Sequence, residues 1–351
     1  MVKPRTGKLH ITLAAAIGGL GAAPGAAALP AGQPLSVDQA VLLSALGERP
    51  SFSPDGRRIA FIGKANGDAY EIELATGKVR NLSRDVPHQG VLRVQYLANG
   101  DYLITAPRHN DGPDSRARVE MWVLGKDLDT PLQPLGENPL EGVAISRENN
   151  LIAWTAFAPG TALGPGEGWS AMFFKPTKHY LAEIVYRDGM ARIANKREIM
   201  ATPPKDCNFI EPQDFRDADN ELVFSCLGAA DGKPLVSVMG YNLQTGRFIT
   251  YRRVVGEYNE VEGIAPDGKW ATVECGIQET AALPPLDICG LEMKPDGKMR
   301  RIIVGTQPGS SSHVSNPVVS PDGKYIAFQK GDSAVGEIGE GMGVYLVKLG
   351  S

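Results

Sequence analysis

Short apolar segments separated by turn residues recur along the whole chain. The two clearest copies, at 50–61 and 316–328, share Ser-Pro-Asp-Gly between two apolar segments. Four weaker copies lie at 95–104, 143–154, 215–224 and 263–272. Each copy is typical of a strand, a tight turn of residues that tolerate positive φ, and a second strand. The pattern therefore predicts repeated β-hairpins.

The spacing of the copies predicts the architecture. Their turn residues are Asp55, Asn99, Asn149, Asp219, Asp267 and Asp322. A propeller blade of four strands needs about 40–45 residues, so six copies predict an all-β, six-bladed β-propeller at 50–351 with an insertion in the third blade. The expected blades are 50–83, 90–136, 139–200, 207–254, 257–304 and 313–349. A flat β-sandwich is the alternative, although nothing in a sandwich requires this repeat.

The ring needs a closing strand, because the sixth blade ends at its third strand, 343–349. An open edge would expose unpaired backbone groups, so we expect the fourth strand to come from the N-terminal segment, 29–49. Residues 29–35 could supply it. Residues 36–46 predict a short helix, since Ser36 and Gln39 form a capping-box pattern and Gly47 suits a helix end.

The first 28 residues have the pattern of a secretory signal peptide. Three basic residues precede an apolar, Gly-rich stretch at 11–23, and small residues at 26–28 offer a cleavage site. An uncleaved anchor is the alternative, but the apolar stretch is short for a bilayer. We therefore expect a periplasmic or secreted protein without a membrane span.

The charge balance disfavours nucleic acid as a partner. The chain has 36 Lys and Arg against 40 Asp and Glu, and signal-peptide removal would leave 33 basic residues. Nucleic-acid binding requires a basic surface to neutralise phosphates. We expect a small molecule or a protein as the partner, and a monomer as the oligomeric state.

All four cysteines lie after the signal peptide, where export permits disulfides. Cys275 and Cys289 fall opposite each other in an antiparallel register, which predicts a disulfide. Cys207–Cys226 is a second expected pair. The alternative for both pairs is buried free thiols.

The propeller pattern places the four histidines that follow the expected signal peptide at one mouth of the central channel. His88 and His313 fall in connections between blades (d–a connections), and His109 and His179 fall in loops between the second and third strands (b–c loops). Histidine serves as metal ligand and as acid or base. Chance is the alternative, since loops carry polar residues in any case.

Further candidates map to the same mouth. Arg108 could neutralise a substrate carboxylate, and Tyr258 or Glu262 could donate a proton. Glu260 and Glu262 alternate on one strand, so both would face the same way and could hold a cation or share a proton. A solvated strand edge is the alternative.

The insertion in the third blade contains exposed-looking aromatic residues. Trp169 and Phe173 follow a Gly- and Pro-rich stretch at 158–168. Long irregular loops in compact domains are usually functional or disordered. Two possibilities stay open, a lid over a ligand at the mouth or packing against its own blade.

The Ser-Pro-Asp-Gly segments at 53–61 and 320–328 resemble the PD40 (WD40-like) repeats of TolB-like propellers. This resemblance implies six blades and a periplasmic or secreted address. The protein-docking role of TolB itself is not carried over, because the segment expected before the first blade is too short for TolB's N-terminal domain. It covers the first and last blades well and the fifth in part. Related oligogalacturonate-lyase-like propellers hold a divalent metal with mouth histidines, but the histidines here do not align individually with those ligands.

These observations support two functional hypotheses. The first is an exported propeller that binds a ligand or protein at its channel mouth without covalent chemistry. The second is a metal-assisted lyase or hydrolase acting on an acidic saccharide or related small molecule. In that version His88 and His313 would be the ligands of a divalent metal, or the catalytic bases.

Overall fold

The computed structural model describes residues 29–280, 282–306, 311–332 and 342–350. The expected signal peptide lies outside the described residues. The strands of the described chain are β1 (Leu35–Ser36), β2 (Val41–Ser44), β3 (Glu48–Phe52), β4 (Arg58–Ile62), β5 (Ala69–Glu73), β6 (Val79–Asn81), β7 (Arg93–Tyr96), β8 (Tyr102–Pro107), β9 (Val119–Leu124), β10 (Gln133–Pro134), β11 (Leu140–Ile145), β12 (Leu151–Phe157), β13 (Thr177–Arg187), β14 (Met190–Ile199), β15 (Cys207–Arg216), β16 (Glu221–Ala230), β17 (Lys233–Asn242), β18 (Phe248–Arg252), β19 (Glu257–Ile264), β20 (Trp270–Ile277), β21 (Asp287–Glu292), β22 (Met299–Val304), β23 (Ser312–Val319), β24 (Tyr325–Asp332) and β25 (Val344–Lys348). The helical segments of this described part are three 3₁₀ helices, Val37–Gln39, Gly112–Arg118 and Trp169–Phe174.

The strands form six antiparallel sheets arranged as the blades of a propeller. Blades 1 to 5 begin with β3, β7, β11, β15 and β19, and each continues with the next three strands in sequence order. Blade 6 consists of β23, β24, β25 and β2. The first strand of blade 6, β23, contacts the first strand of blade 1, β3, so the ring is closed. The predicted all-β, six-bladed propeller is confirmed.

The repeated Ser-Pro-Asp-Gly forms the turn between the first two strands of a blade, the a–b turn. In blade 1, Asp55 Oδ1 accepts hydrogen bonds from Ser53 Oγ at 2.6 Å and from the Arg57 amide at 3.1 Å. Asp322 repeats this arrangement with Ser320 Oγ at 2.6 Å in blade 6. The glycine after each aspartate has a positive φ, 68° at Gly56 and 72° at Gly323, which favours glycine there. The repeat is therefore explained by local turn chemistry.

The closing strand comes from the N-terminal segment but not from residues 29–35. β2 pairs antiparallel with β25 as the outermost strand of blade 6, whereas β1 adds a parallel strand to blade 5. The helix expected over 36–46 is wrong. Only one 3₁₀ turn forms, Val37–Gln39, with the expected capping box at Ser36. An isolated helix of this length would be marginal, while pairing on the open edge of β25 satisfies backbone groups.

The core lies between neighbouring blades, where large side chains such as Trp154, Trp270 and Phe328 are fully buried. Two disulfides cross-link blades internally. Cys207 is joined to Cys226 in blade 4, and Cys275 to Cys289 in blade 5, with Cα atoms 5.4 and 5.9 Å apart. Within the described chain, no helix has the length and apolar character to cross a membrane.

Candidate ligand site on the propeller axis

The inner strands carry β-bulges around the channel. Five of the six inner strands shift register, between Glu48/Ser51, Leu140/Val143, Pro212/Asp214, Val261/Gly263 and Ser315/Val318. A bulge inserts an extra residue and redirects side chains, and bulges are common beside active sites. Arg49, Glu141 and Asn316, which lie within these shifts, have φ of 55°, 58° and 47°. Such left-handed backbone is uncommon for residues with side chains and concentrates at functional sites.

Charged side chains from these strands and their neighbours meet on the axis in a buried group that we call the axial cluster. It contains six carboxylates and three guanidiniums whose charges influence one another. Its members are Glu48, Arg49, Arg93, Arg116, Glu141, Glu211, Glu260, Glu262 and Glu274. Buried charges require pairing, and here the carboxylates exceed the guanidiniums.

One part of the axial cluster is held together by ion pairs. The Arg116 guanidinium donates to both oxygens of Glu141 at 2.5 and 2.7 Å, a strong bidentate arrangement. Burial would raise the pKa of Glu141, but the Arg116 charge and its hydrogen bonds outweigh burial and hold that pKa below its usual value. Arg93 donates to Glu211 at 3.2 Å.

The other part has an excess of negative charge. Oxygens of Glu260, Glu262 and Glu274 lie within 4.8 Å of one another. The backbone amide of Asn316 donates a hydrogen bond to Glu274 at 2.6 Å, and the side-chain amide of Asn316 donates one to Glu262 at 3.1 Å. Burial, together with neighbouring carboxylates, raises the pKa of Glu260 and of Glu262 to about 7. Protons therefore compensate part of the missing positive charge at neutral pH.

These three carboxylates are the residues that could hold a metal ion. Carboxylate oxygens are the ligands that Ca²⁺ and Mg²⁺ prefer, and a bound cation would replace the protons on Glu260 and Glu262. Tyr258 lies beside them and donates its hydroxyl to Glu260. Burial, with the Glu260 charge, raises the pKa of Tyr258 well above its usual value.

A cavity of about 500 Å³ opens from this group towards the a–b turns. All six inner strands contribute to its wall, and Glu262 of the axial cluster lies in its lining. The rest of the lining mixes charged, amide and apolar side chains. It includes Phe52, Gln95, Leu97, Ala98, Arg147, Glu148, Gln213, Asp214, Phe215, Arg216, Asp217, Asp219, Ile264, Asp267 and Val318. The cavity thus lies at the end opposite to the mouth that the sequence favoured.

At that mouth, two b–c segments pack against each other and against inner strands of blades 3 and 4, and they form what we call the plug, Gly112–Arg118 and Trp169–Phe174. Trp169 lies over the Arg116 guanidinium, with the Arg116 Cζ 4.4 Å from the ring centroid. Phe173 packs edge-on against Phe209 of blade 4 at 4.9 Å. The insertion of blade 3 therefore packs against blades 2 and 4. It also packs against its own blade, where Met172 lies with Leu140, which is one of the two arrangements that the sequence left open.

The structure does not bring the four histidines together. His88 lies 3.2 Å from Asp68, and His179 is buried beside the Thr155 hydroxyl at 2.9 Å. Burial lowers the pKa of His179 to about 4 and also lowers that of His313, which is buried in blade 6. His109 is exposed. Among the described residues, the group of three or more side chains that could share an ion contains glutamates alone, so the metal site expected at His88 and His313 stays a prediction without support from this group.

Arg108 also lies away from the axis. It pairs with Glu120 at 2.5 Å and lies over the Trp122 ring of its own blade. By contrast, sequence reasoning identified Glu260, Glu262 and Tyr258 but missed Arg49, Arg93, Arg116, Glu48, Glu141, Glu211 and Glu274. One signal was available, because a charge inside an apolar inner strand, as in Leu140-Glu141-Gly142-Val143, is unusual unless it is paired.

Comparison with known proteins shows the fold. No protein-family model and no curated protein matches the chain by sequence. Among solved structures, TolB from Acinetobacter baumannii is similar with a TM-score of 0.52 and 10% identity, over 88% of this chain and 64% of that one. The chain therefore spans less than two thirds of that protein. A calcium-binding protein, regucalcin, from Agrobacterium tumefaciens gives 0.54 and 11%, over 91% and 97%. Oligogalacturonate lyase from Vibrio parahaemolyticus gives 0.52 and 10%, over 89% and 92%.

Proposed function

We propose that this TolB-like propeller is exported and binds a ligand in the axial cavity at the a–b turn end. The observation that carries the proposal is the cavity itself, about 500 Å³ in volume and lined by all six inner strands. Concave sites with a few converging polar groups are where proteins bind small molecules. Arg49, Glu141 and Asn316 in the inner strands have positive φ, which fits a preorganised site.

The two ends of the channel decide where the ligand enters. At the plug, Trp169 lies over Arg116, which binds Glu141 of the axial cluster, whereas the short a–b turns leave a cavity at the other end. A protein partner remains compatible with this arrangement if it inserts a side chain or terminus into the cavity.

The test is ligand screening with a blocked cavity. A mixed small-molecule library is screened by thermal shift against the mature protein and against Ala98→Trp, which adds an indole at the cavity wall. The control is Ala75→Trp on an exposed turn of blade 1. We expect ligands whose stabilisation is lost in A98W and kept in A75W. Ligands unaffected by A98W, or none at all, would contradict the proposal.

Export can be tested separately, by measuring the intact mass of the protein. The intact mass of the protein recovered from the periplasm or medium of an expressing bacterium should correspond to a chain that begins after Ala28. A full-length mass in the cytoplasmic fraction alone would contradict export.

The second candidate, a metal-assisted lyase or hydrolase, is favoured by one observation, the proximity of Glu260, Glu262 and Glu274. A bound divalent ion would act as a Lewis acid there. The histidine-based version has no such support, and the acidic lining of the cavity opposes an acidic saccharide. Elemental analysis and a chelator-sensitive thermal shift test it, with Glu274→Gln as the variant that should abolish metal binding.

A further inference from the structure

We propose that the axial cavity selects a ligand that carries an ammonium or guanidinium group on an apolar body, with Glu262 receiving the positive charge. This inference rests on the proposed function of the cavity as a ligand site and adds the chemical class of the ligand.

The charge of the cavity wall is the first argument. Six carboxylates line it, namely those of Glu148, Asp214, Asp217, Asp219, Glu262 and Asp267, against two guanidiniums. Both guanidiniums are already engaged. Arg147 donates to Asp214 at 2.7 Å, and Arg216 donates to the Tyr251 hydroxyl at 2.9 Å and to the Met293 carbonyl at 3.1 Å. The wall therefore favours a cation and repels an anion.

The position of Glu262 also favours a cationic ligand, because this residue connects the cavity with the excess carboxylates of the axial cluster. Glu260 and Glu274 lie within 4.8 Å of it. The guanidiniums that face it are Arg93 and Arg49, and Arg93 is shared with Glu211. A cationic group of a ligand at Glu262 would relieve repulsion among three carboxylates at once, which a neutral group could not do.

Unpartnered polar atoms give a third, independent argument. Among the described residues, Gln95 Oε1 and Asp267 Oδ2 are buried acceptors that have no hydrogen-bond partner, and both residues line the cavity. A buried acceptor without a donor is costly. An ammonium or guanidinium group is rich in donors and has no acceptor. Gln213 Nε2 is a buried donor without a partner at the same wall, so it could bind an oxygen on the ligand's body.

The apolar part of the wall argues for an organic cation over a bare ion. Five apolar side chains lie in the lining, those of Phe52, Leu97, Phe215, Ile264 and Val318. A cavity of about 500 Å³ far exceeds one ion, and apolar side chains offer an ion no ligands. An alkyl or aromatic body would bury this surface while its charged end reaches Glu262. The same chemistry is available from a free amine or from a lysine or arginine side chain of a peptide.

The test is a charge series on one body, measured by calorimetry with the mature protein. Benzylamine, benzyl alcohol and benzoate differ in charge and little in shape. We expect the amine to bind at least about tenfold more tightly than the alcohol, since a hydrogen bond to a charged group contributes about 1.5–3 kcal/mol, and benzoate to show no binding. A free diamine and a short lysine peptide form two further arms, and binding of either supports the class and identifies its source.

Variants make the test specific for Glu262. Glu262→Gln should remove the preference for the amine, while Glu262→Asp, which keeps the charge, should retain most of it. Glu73→Gln, an exposed carboxylate of blade 1, is the control and should match the parent, and circular dichroism checks that each variant folds.

Three results would overturn the inference. They are equal binding of the alcohol or benzoate, an amine preference that survives in E262Q, or binding of Ca²⁺ or Mn²⁺ without binding of any amine. The proposed function fails separately, because it requires only that some ligand lose its binding in A98W.

Discussion

The two ends of the propeller channel are built from the same six inner strands and differ in what covers them. At the a–b end the turns are short, as at Ser53–Asp55, and a cavity remains. At the opposite end, two longer b–c segments pack against each other and place Arg116 and Trp169 over Glu141 of the axial cluster. The comparison teaches that loop length, rather than the number of polar loop residues, decides which mouth of a propeller is open.

The charges follow the same division. Arg116 and Glu141 form a bidentate pair under the plug. Towards the cavity, Glu262 lies among carboxylates that burial keeps partly protonated. The plug is therefore a stabilising structure, whereas the cavity end retains unsatisfied charge that a ligand could neutralise.

Removing the ion pair between Arg116 of the plug and Glu141 should have the largest effect on the free energy of unfolding. Arg116→Met leaves the carboxylate of Glu141, 1% exposed, without its partner, and an uncompensated buried charge costs about 3–5 kcal/mol. Urea unfolding should show a loss of this size. The control is Arg118→Met on the same segment, whose partner Asp111 is exposed, so its loss should be about 0–1 kcal/mol.

A second change checks the cause. If the unpaired charge is responsible, adding Glu141→Gln to the Arg116→Met variant should recover part of the stability. No recovery in the double variant would mean that Arg116 acts through packing against Trp169 and not through its charge.

The aromatic contacts of the plug can be tested with adjacent residues. Phe173 is half-buried against Phe209, whereas Phe174 is 80% exposed. Phe173→Ala should lower the free energy of unfolding by about 2 kcal/mol, less than the cost at a fully buried site. Phe174→Ala should stay within about 0.5 kcal/mol. Equal losses would show that the segment does not pack as described.

The cavity end should make stability depend on pH. Glu262 has a pKa of about 7 in the folded protein, above its value in the unfolded chain, so the folded state binds more protons between these values. Its contribution to stability is present below the unfolded pKa and is lost as pH rises through about 7. The free energy of unfolding should therefore fall between about pH 5 and 8, by about 2–3 kcal/mol for this group.

Glu262→Gln isolates that contribution. His179 acts in the opposite direction, because its pKa is lowered to about 4 and its contribution is lost as pH falls below its unfolded value. Arg49, Arg93, Glu211 and Glu274 also face or couple to Glu262. E262Q should become more stable relative to the parent as pH rises, because glutamine cannot acquire the buried charge, and a difference independent of pH would contradict the assigned protonation.

The smallest effect is expected from an ion pair at the open end. Arg147 is 38% exposed where it pairs with Asp214. The Asp214 carboxylate that its removal leaves is buried but still accepts hydrogen bonds from the backbone amides of Phe215 and Ile264. Arg147→Met should cost about 1 kcal/mol, clearly less than Arg116→Met. A larger loss at Arg147 would reverse the comparison between the two ends.

Sequence predicted the fold well because its signals are local. Ser-Pro-Asp-Gly defines its turn through hydrogen bonds within a few residues, as at Asp55, and period-2 alternation defines the strands. The closing strand was expected from the correct segment, but pairing with β25, 300 residues away in sequence, replaced the helix suggested at Ser36. Local propensity could not weigh that distant edge.

The site was predicted only in part because its geometry is not local. Glu260 and Glu262 were expected to lie together, and they do, but through a bulge between Val261 and Gly263 instead of simple alternation. Arg49 and Glu141 reach the axis through bulges in which their φ is positive. Neither residue type favours that backbone conformation, and no sequence pattern indicated it.

The central claim is that the channel is accessible at the a–b end and covered by the plug at the other. Single cysteines replace Glu262 in the cavity lining and Leu140, which packs with Met172 of the plug, and their reaction with a maleimide is timed in the disulfide-intact folded protein. The account predicts much faster labelling at 262 than at 140. Equal rates, or faster labelling at 140, would contradict it.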